Sequence, residues 1–454
     1  MNRHLIIGRF GADDKARVPG GAGEKATRLE FVKANKRFDH GIGDALDNLK
    51  SFGVHPSEMG VDLIILAAHI HAADTRISRS SESQDSWTRE IRLVVPVSVP
   101  ETWNKAIPIL QPMLDFLTGD RWTFSFRPRP KGFTNTVSQK PLVYQKPVFD
   151  GVSLFSGGLD SLIGAINSLE GGLNPLFVSH AGEGAVSASQ EQVFHYLENK
   201  YPKRPFRRLR MWMSFPHGLV EDSASEDSTR GRSFLFIAAA TFAANGFERA
   251  CRVQVPENGL IALNVPLDQL RLGSLSTRTT HPFYIARWNQ LLQTLGFGVL
   301  VENPYWDKTK GEMVTECQNR SILQQLIPAS LSCASPSKAR WVGHSTEHCG
   351  YCLPCIIRRA SLKKGLGQKD PTSYTLQDLT AAPLKTSEAR GLQVRSFQFA
   401  INRLKSRPAL ADLLIHKPGP LTDESPQRQQ ALAQVYLRGM MEVADLLKGV
   451  RTEP

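Results

Sequence analysis

The stretch Val148-Phe-Asp-Gly-Val-Ser-Leu-Phe155-Ser156-Gly157-Gly158-Leu159-Asp160-Ser161 joins a short apolar run to a glycine turn, and a helical pattern over Ser161–Leu169 follows it. Two glycines let the backbone turn tightly and present several N–H groups to an anion without Cβ obstruction. The helix that opens at Ser161 adds its positive dipole end. Ser156 and Ser161 can donate hydroxyl hydrogen bonds, and Asp160 can cap the helix or hold a magnesium ion. No Gly-Lys-Ser/Thr follows, so this is not a Walker loop. The Gly-x-Gly-x-x-Gly of a dinucleotide fold is also absent. A plain βα turn with an Asp cap is the bland alternative. The joint match of Ser-Gly-Gly-x-Asp-Ser, in that order between a strand and a helix, outweighs it.

Downstream of this turn, short apolar runs alternate with helical patterns. Pro175–Ser179, Arg207–Met213, Arg252–Val255 and Val299–Val301 read as strands, and Ser187–Lys200, Ser233–Asn245 and Phe283–Leu295 as helices. Repeated βα units of this spacing imply an open parallel sheet covered on both faces. Its chemistry is expected beyond the carboxyl ends of the strands, just after Phe155, Ser179, Met213 and Val255. Upstream the pattern is mixed. Leu5–Phe10, Val61–His69 and Arg89–Val95 read as strands, with helical stretches near Gly43–Ser51 and over Glu101–Leu117. A proline-rich polar segment ending near Pro147 then reads as a linker. Residues 385–405 and 424–449 read as amphipathic helices. The expected division is an N-terminal α+β segment (1–147), an α/β domain (148–382) and a helical C-terminal extension (383–454).

At 454 residues the chain is too long for one ordinary domain, and 22 phenylalanines and seven tryptophans argue against disorder. The net charge of +12 points to an anionic partner, either nucleic acid or phosphates. That charge divides evenly, however, at +4 in each of residues 1–150, 151–382 and 383–454. No run of basic residues interleaved with aromatics occurs, so nucleic acid is not expected as a direct substrate. The start MNRHLIIGRFGADD lacks the apolar run of a secretory signal. The longest apolar stretch, Phe234–Ala244, is about half a membrane span. A cytoplasmic protein with no membrane partner is expected. Trp87, Trp103 and Trp122 are expected in the N-terminal core, and His69 and His71 as structural residues.

Four of the six cysteines fall between Cys333 and Cys355. Cys349-Gly-Tyr-Cys352-Leu-Pro-Cys355 gives Cys-x-x-Cys-x-x-Cys spacing, in which two sulfurs of one knuckle can meet one metal. With Cys333, four thiolates complete a closed tetrahedral zinc site of structural type. An iron–sulfur cluster is compatible with the same ligands, and His344 or His348 could replace Cys333. Cys251 and Cys317 read as small buried residues.

The glycine turn resembles the pyrophosphate loop of the PP-loop ATP pyrophosphatases, which have an adenine-nucleotide α-hydrolase-like (HUP, Rossmann-like) fold. Taken with the cysteine tail, the chain resembles the QueC-like 7-cyano-7-deazaguanine synthase family over roughly residues 148–365. Arg230-Gly-Arg232-Ser-Phe is similar to that family's Arg-Asn-x-x-Phe helix start. Asn303-Pro-Tyr-Trp-Asp307-Lys308-Thr309-Lys310-Gly-Glu312 is similar to its Pro-Leu…Thr-Lys-x-Glu segment, and Cys349 through Arg358 to its Cys-Gly-x-Cys-x-x-Cys-x-x-Arg tail. Ser233 stands where the family has Asn. Pro256–Gly259, the Thr277–Pro282 loop and both terminal extensions also depart from the housekeeping enzyme. QueC-like proteins with such additions occur in bacterial anti-phage defence systems, and on Asp74-Thr-Arg-Ile through Trp87-Thr-Arg-Glu-Ile and Leu117-Thr-Gly-Asp-Arg-Trp122 the chain resembles most the QatC group of the four-gene Qat systems.

The resemblance implies an ATP-dependent ligase. ATP with Mg2+ is expected on Ser156, Gly157, Gly158, Asp160 and Ser161, with Asp160, Arg232 (or Arg230), Lys308 and Lys310 as catalytic groups. Glu257 and Asn258 are expected to read the guanine-like edge of a 7-carboxy-7-deazaguanine. Zn2+ is expected on Cys333, Cys349, Cys352 and Cys355. The carboxylate is adenylated with loss of pyrophosphate, and an amine then displaces AMP. That amine is ammonia in the housekeeping enzyme, and in defence relatives an amine of a partner protein from the same operon. Two alternatives are a zinc-containing nucleic-acid-binding module with a degenerate nucleotide site, and a tRNA thiolase. The second needs a sulfur-carrying cysteine near the loop, and none lies there.

Overall fold

The computed structural model describes residues 3–83, 85–137, 148–180, 184–221, 223–226, 228, 230–247, 249–267, 278–343, 346–367 and 369–454. Strands β1 (Arg3–Arg9), β2 (Glu24–Glu30), β3 (Glu90–Val97) and β4 (Arg121–Pro128) form one sheet in the order β2-β1-β3-β4. Every pairing in it is parallel. The sequence reading of this segment as α+β is therefore corrected to a parallel α/β layer. The helix Pro100–Thr118 is the crossover between β3 and β4, which makes a βαβ unit. The alternation of β4 buries Trp122, Phe124 and Phe126 on one face.

Val61–His69, read from the sequence as a strand, belongs to the helix Glu58–Arg76. Ser57 caps it, its Oγ accepting from Gly60 N at 3.2 Å. Every residue from Gly60 to Thr75 is buried. Strands β1 and β3 cover one side of the helix and the helix Arg232–Asn245 another. A helix covered all round carries no polar stripe, and over nine residues its pattern equals that of a buried strand.

The second sheet contains β5 (Gly151–Leu154), β6 (Pro175–His180), β7 (Arg207–Met211), β8 (Cys251–Gln254) and β9 (Val299–Glu302), in the order β7-β6-β5-β8-β9. It is parallel throughout. From β5 the chain winds outward through β6 and β7, then returns to lay β8 and β9 on the other side. The crevice at this reversal lies between the loops that leave β5 and β8, where open α/β sheets take their ligands.

One apolar core is continuous between the two sheets. The helix Glu58–Arg76 meets the helix Arg232–Asn245 closely, with Ser57 N and Oγ both donating to Asn245 Oδ1 at 2.8 Å. The C-terminal helices Ala389–Ser406 and Pro426–Leu446 share a second core with Leu260, Leu263 and the helix Leu353–Leu366. Among the described residues, no helix is long and apolar enough to cross a membrane. The proline-rich segment is described only to residue 137, so its expected end near Pro147 lies outside the described residues.

Candidate functional site

The glycine turn stands at the carboxyl end of β5, the middle strand. Gly157 has φ +79°, which explains the glycine. A Cβ there would also approach Gln190 Cγ to 3.0 Å. Behind the turn, Gln190 Nε2 donates to Ser156 O at 3.2 Å and Leu331 N donates to Gly157 O at 2.9 Å. In front, Ser156 Oγ and Ser161 Oγ lie 3.1 Å apart, and the helix Leu159–Glu170 begins between them. The turn is thus held from behind while its hydroxyls and the helix N-terminus face a cavity of about 410 Å³.

Ser156, Gly158, Asp160 and Ser161 line that cavity, together with Arg232, Phe236, Glu257, Lys310, Ser332 and Cys333. Gly157 shapes the turn from the side packed on Gln190 and is not part of the lining. Asp160 is buried. Its Oδ1 pairs with Lys310 Nζ at 3.1 Å, and its Oδ2 accepts from Asn258 N at 3.2 Å and Asn258 Nδ2 at 2.7 Å. Asn258 Oδ1 in turn accepts from Ile261 N at 3.1 Å and caps the short helix Gly259–Leu263. Asn258 is also fully buried and does not line the cavity, which places it away from its expected role as a substrate reader. Asn258 holds Asp160 instead.

Lys310 begins a helix whose capping box joins Thr309 and Glu312, with Glu312 N donating to Thr309 Oγ1 at 3.0 Å and Thr309 N to Glu312 Oε2 at 2.8 Å. The C-terminal extension pins this turn. Thr309 Oγ1 donates to Glu442 Oε1, Gly311 N donates to Glu442 Oε2 at 3.2 Å, and Arg438 pairs with Glu312 at 2.7 Å. Glu257 lines the opposite side, partly buried, and accepts from Thr280 Oγ1. Burial, and secondarily the charge of Asp160, push its carboxyl up to about 7.

The structure separates other expected residues from this group. Lys308 points outward and pairs with Glu316 at 2.9 Å, so it does not face the cavity. Arg230 stacks on Trp87, 3.7 Å from the ring centre, and donates to Thr118 O at 3.1 Å. Of the two arginines, only Arg232 lines the cavity. Trp103 and Trp122 are core residues as expected, whereas Trp87 is half-buried against Arg230. His69 and His71 are buried on the helix Glu58–Arg76, and burial lowers each to about 4. Cys251 and Cys317 are buried thiols, both pushed up to about 11.

The sulfurs of Cys333, Cys349, Cys352 and Cys355 all lie within 4.8 Å of one another, a cluster that could hold a metal ion such as zinc. The Cys333–Cys352 and Cys349–Cys355 sulfur pairs are each 3.9 Å apart. Tetrahedral zinc with Zn–S bonds of about 2.3 Å calls for sulfurs about 3.8 Å apart, which this donor set fits. Gly350, at φ +87°, makes the knuckle, and Cys349 N and Cys352 N point at the sulfurs of Cys333 and Cys349. His348 Nε2 is taken by Ser332 N at 3.1 Å, which leaves Cys333 as the fourth member. His344 lies outside the described residues.

The cluster and the glycine turn touch through Ser332, which nothing local singles out, and Cys333 lines the cavity beside the turn, which corrects the expectation that no cysteine lies near the loop. Ser332 Oγ accepts from Leu159 N at 3.2 Å and from the buried Arg358 Nη1 at 3.4 Å. Ser189, Gln190 and Thr280 are likewise contacts made across the fold, and no local pattern marks them. No protein-family model matches the chain, and no curated protein matches it.

Proposed function

We propose that this protein is an ATP-dependent ligase of the PP-loop kind, with an adenine-nucleotide α-hydrolase-like second sheet, that adenylates a carboxylate for attack by an amine. The observation that carries the reading is the pairing of an anion-cradling turn at the switch point with two cations, Lys310 and Arg232, in one cavity. The backbone N–H groups at the turn, with the Ser156 and Ser161 hydroxyls, bind the triphosphate. A substrate carboxylate oxygen attacks the α-phosphorus, the bond to the β-phosphate oxygen breaks, and pyrophosphate leaves. Lys310 and Arg232 neutralise the charge that grows on the departing oxygen. An amine then attacks the acyl carbon, gives up a proton, and AMP departs with the electron pair.

Glu257 supplies a hydrogen-bonding group for a substrate with a guanine-like edge, for which 7-carboxy-7-deazaguanine is the candidate. Its carboxyl lies at the boundary between donor and acceptor forms near neutrality. Asp160 is the carboxylate that would hold magnesium beside the nucleotide: its Oδ2 is bonded to Asn258, while its buried Oδ1 makes no hydrogen bond and has only the 3.1 Å ion pair with Lys310. No step above depends on a protein-held magnesium ion. Zinc on the four cysteines would supply a structural clasp beside the turn. The departures from the housekeeping pattern and the terminal extensions favour an amine of a partner protein, in the manner of the QueC-like proteins of anti-phage defence, over free ammonia.

The test is pyrophosphate release from ATP with 7-carboxy-7-deazaguanine, in the wild type and in Lys310→Met, together with intact-mass measurement of proteins co-expressed from the same operon. Release that depends on both the acid and Lys310 is expected, with a mass increment on one partner. No release, or release that ignores Lys310, overturns the reading. Salt-sensitive nucleic-acid binding without release would favour the binding-module alternative.

A further inference from the structure

Arg232 opens the helix Arg232–Asn245, and the three residues that bear on its position are held from outside the second sheet. Gly231 N donates to Asp74 Oδ2 at 2.7 Å. Asp74 sits on the helix Glu58–Arg76 and is fully buried. Its other oxygen meets Arg89 Nη2 at 3.1 Å and Arg79 Nη2 at 3.5 Å, and both arginines also bind Asp120. One residue earlier, Arg230 lies on Trp87 and donates to Thr118 O. Further back, Glu226 N donates to Thr75 O at 3.2 Å and its carboxylate accepts from Arg79 N at 2.6 Å. The approach to the helix is therefore fastened to the N-terminal layer at several points, and among the described residues that layer brings no side chain into the cavity.

A guanidinium serves a transferring phosphate only if it stands in place before charge develops, and a displacement of about 1 Å can cost a factor of ~10². A helix start fixed by one charge-assisted N–H···carboxylate bond and one stacked arginine is fixed in that sense. Gly231 also allows the carboxylate to come close, since a Cβ there would stand 3.2 Å from Asp74 Oδ2.

We propose that Asp74, seconded by Arg230 on Trp87, is a positioning residue for Arg232, so that the N-terminal layer sets the cation of the nucleotide cavity. This rests on the nucleotide reading of the cavity given above. The decisive experiment is a double-mutant cycle on binding of α,β-methylene-ATP, measured by calorimetry on the full-length protein. Asp74→Ala is expected to weaken binding about tenfold in the wild-type background and less than about twofold when combined with Arg232→Ala. Asp74→Asn keeps an oxygen for Gly231 N and should recover most of the loss. Trp87→Leu, which leaves the buried charges intact, should give the same pattern and stands in if Asp74→Ala does not fold. Equal losses with and without Arg232 mean general damage and overturn the proposal, as does no loss in either background. Amide exchange at Gly231 separates the two readings. Protection present in the wild type and lost in Asp74→Ala shows the hold even if no nucleotide binds, in which case the nucleotide reading fails and the positioning role with it. Protection unchanged in Asp74→Ala overturns the hold itself.

Discussion

Lys310 Nζ lies 3.1 Å from Asp160 Oδ1, an ion pair that ties the helix after β9 to the helix after β5 across the mouth of the central crevice. Both side chains are buried, so breaking the pair from one side strands a charge. Lys310→Met should destabilise the fold by about 3 kcal/mol and lower pyrophosphate release by ~10²-fold or more. Urea unfolding and a pyrophosphate assay check the two effects separately.

Glu257 should impose a pH dependence of definite sign. Its carboxyl is raised from an ordinary 4.5 to about 7, chiefly by burial, with Asp160 adding and Thr280 and Lys310 opposing. The folded state then keeps a proton that the unfolded chain has released. Stability from this group is full at low pH, falls as pH rises from 4.5 to about 7, and is flat above that. Glu257→Gln should remove that slope. Denaturant midpoints across this range, compared between the two proteins, are the measurement, and parallel curves would refute the assignment.

With zinc held by the cysteine cluster, as proposed, its removal should loosen the glycine turn, because Ser332 bonds Leu159 N from a segment that ends in Cys333. Chelation should raise the Kd for an ATP analogue and increase amide exchange over residues 156–159. Ser332→Ala should raise the Kd as well, while leaving metal content, read by atomic emission, unchanged.

Glu442 should matter although it lies far along the chain from every motif. It accepts from Thr309 Oγ1 and Gly311 N at the turn that presents Lys310. Glu442→Ala leaves two donors without their acceptor and should cost about 1–3 kcal/mol. Glu442→Gln keeps an acceptor and should cost less. Thermal unfolding ranks the three proteins.

What could be read from the sequence was what is local. The turn Ser156–Ser161 and the Cys349–Cys355 knuckle work through neighbours in the chain, so their residue types and spacing carry their chemistry. The five strands of the second sheet were each visible as short apolar runs. In the first sheet β1 and β3 were visible in the same way, but β2 and β4 were not, because β2, Glu-Lys-Ala-Thr-Arg-Leu-Glu, is an edge strand that buries little, and β4 runs into a proline-rich stretch. The helix Glu58–Arg76 looked like a strand because its burial comes from both sides at once. Lys308 and Lys310 stand two residues apart and look equivalent in sequence. Only the helix start at Thr309 turns one inward and leaves the other beside Glu316. Ser332, Glu442 and Asp74 act through partners more than a hundred residues away, and no window along the chain contains both members of such a pair.

The apolar core that runs unbroken between the two sheets bears on how the molecule can be divided. A cut at the stretch between β4 and β5 severs the covalent link but not the interface, where the helices Glu58–Arg76 and Arg232–Asn245 lie together. Each half made alone would present that buried helix face to water and should aggregate. The two halves produced together should instead find one another and recover the fold as a nicked complex. Fragment complementation of this kind, scored by co-purification, turns a continuous core into a genetic tool for the protein.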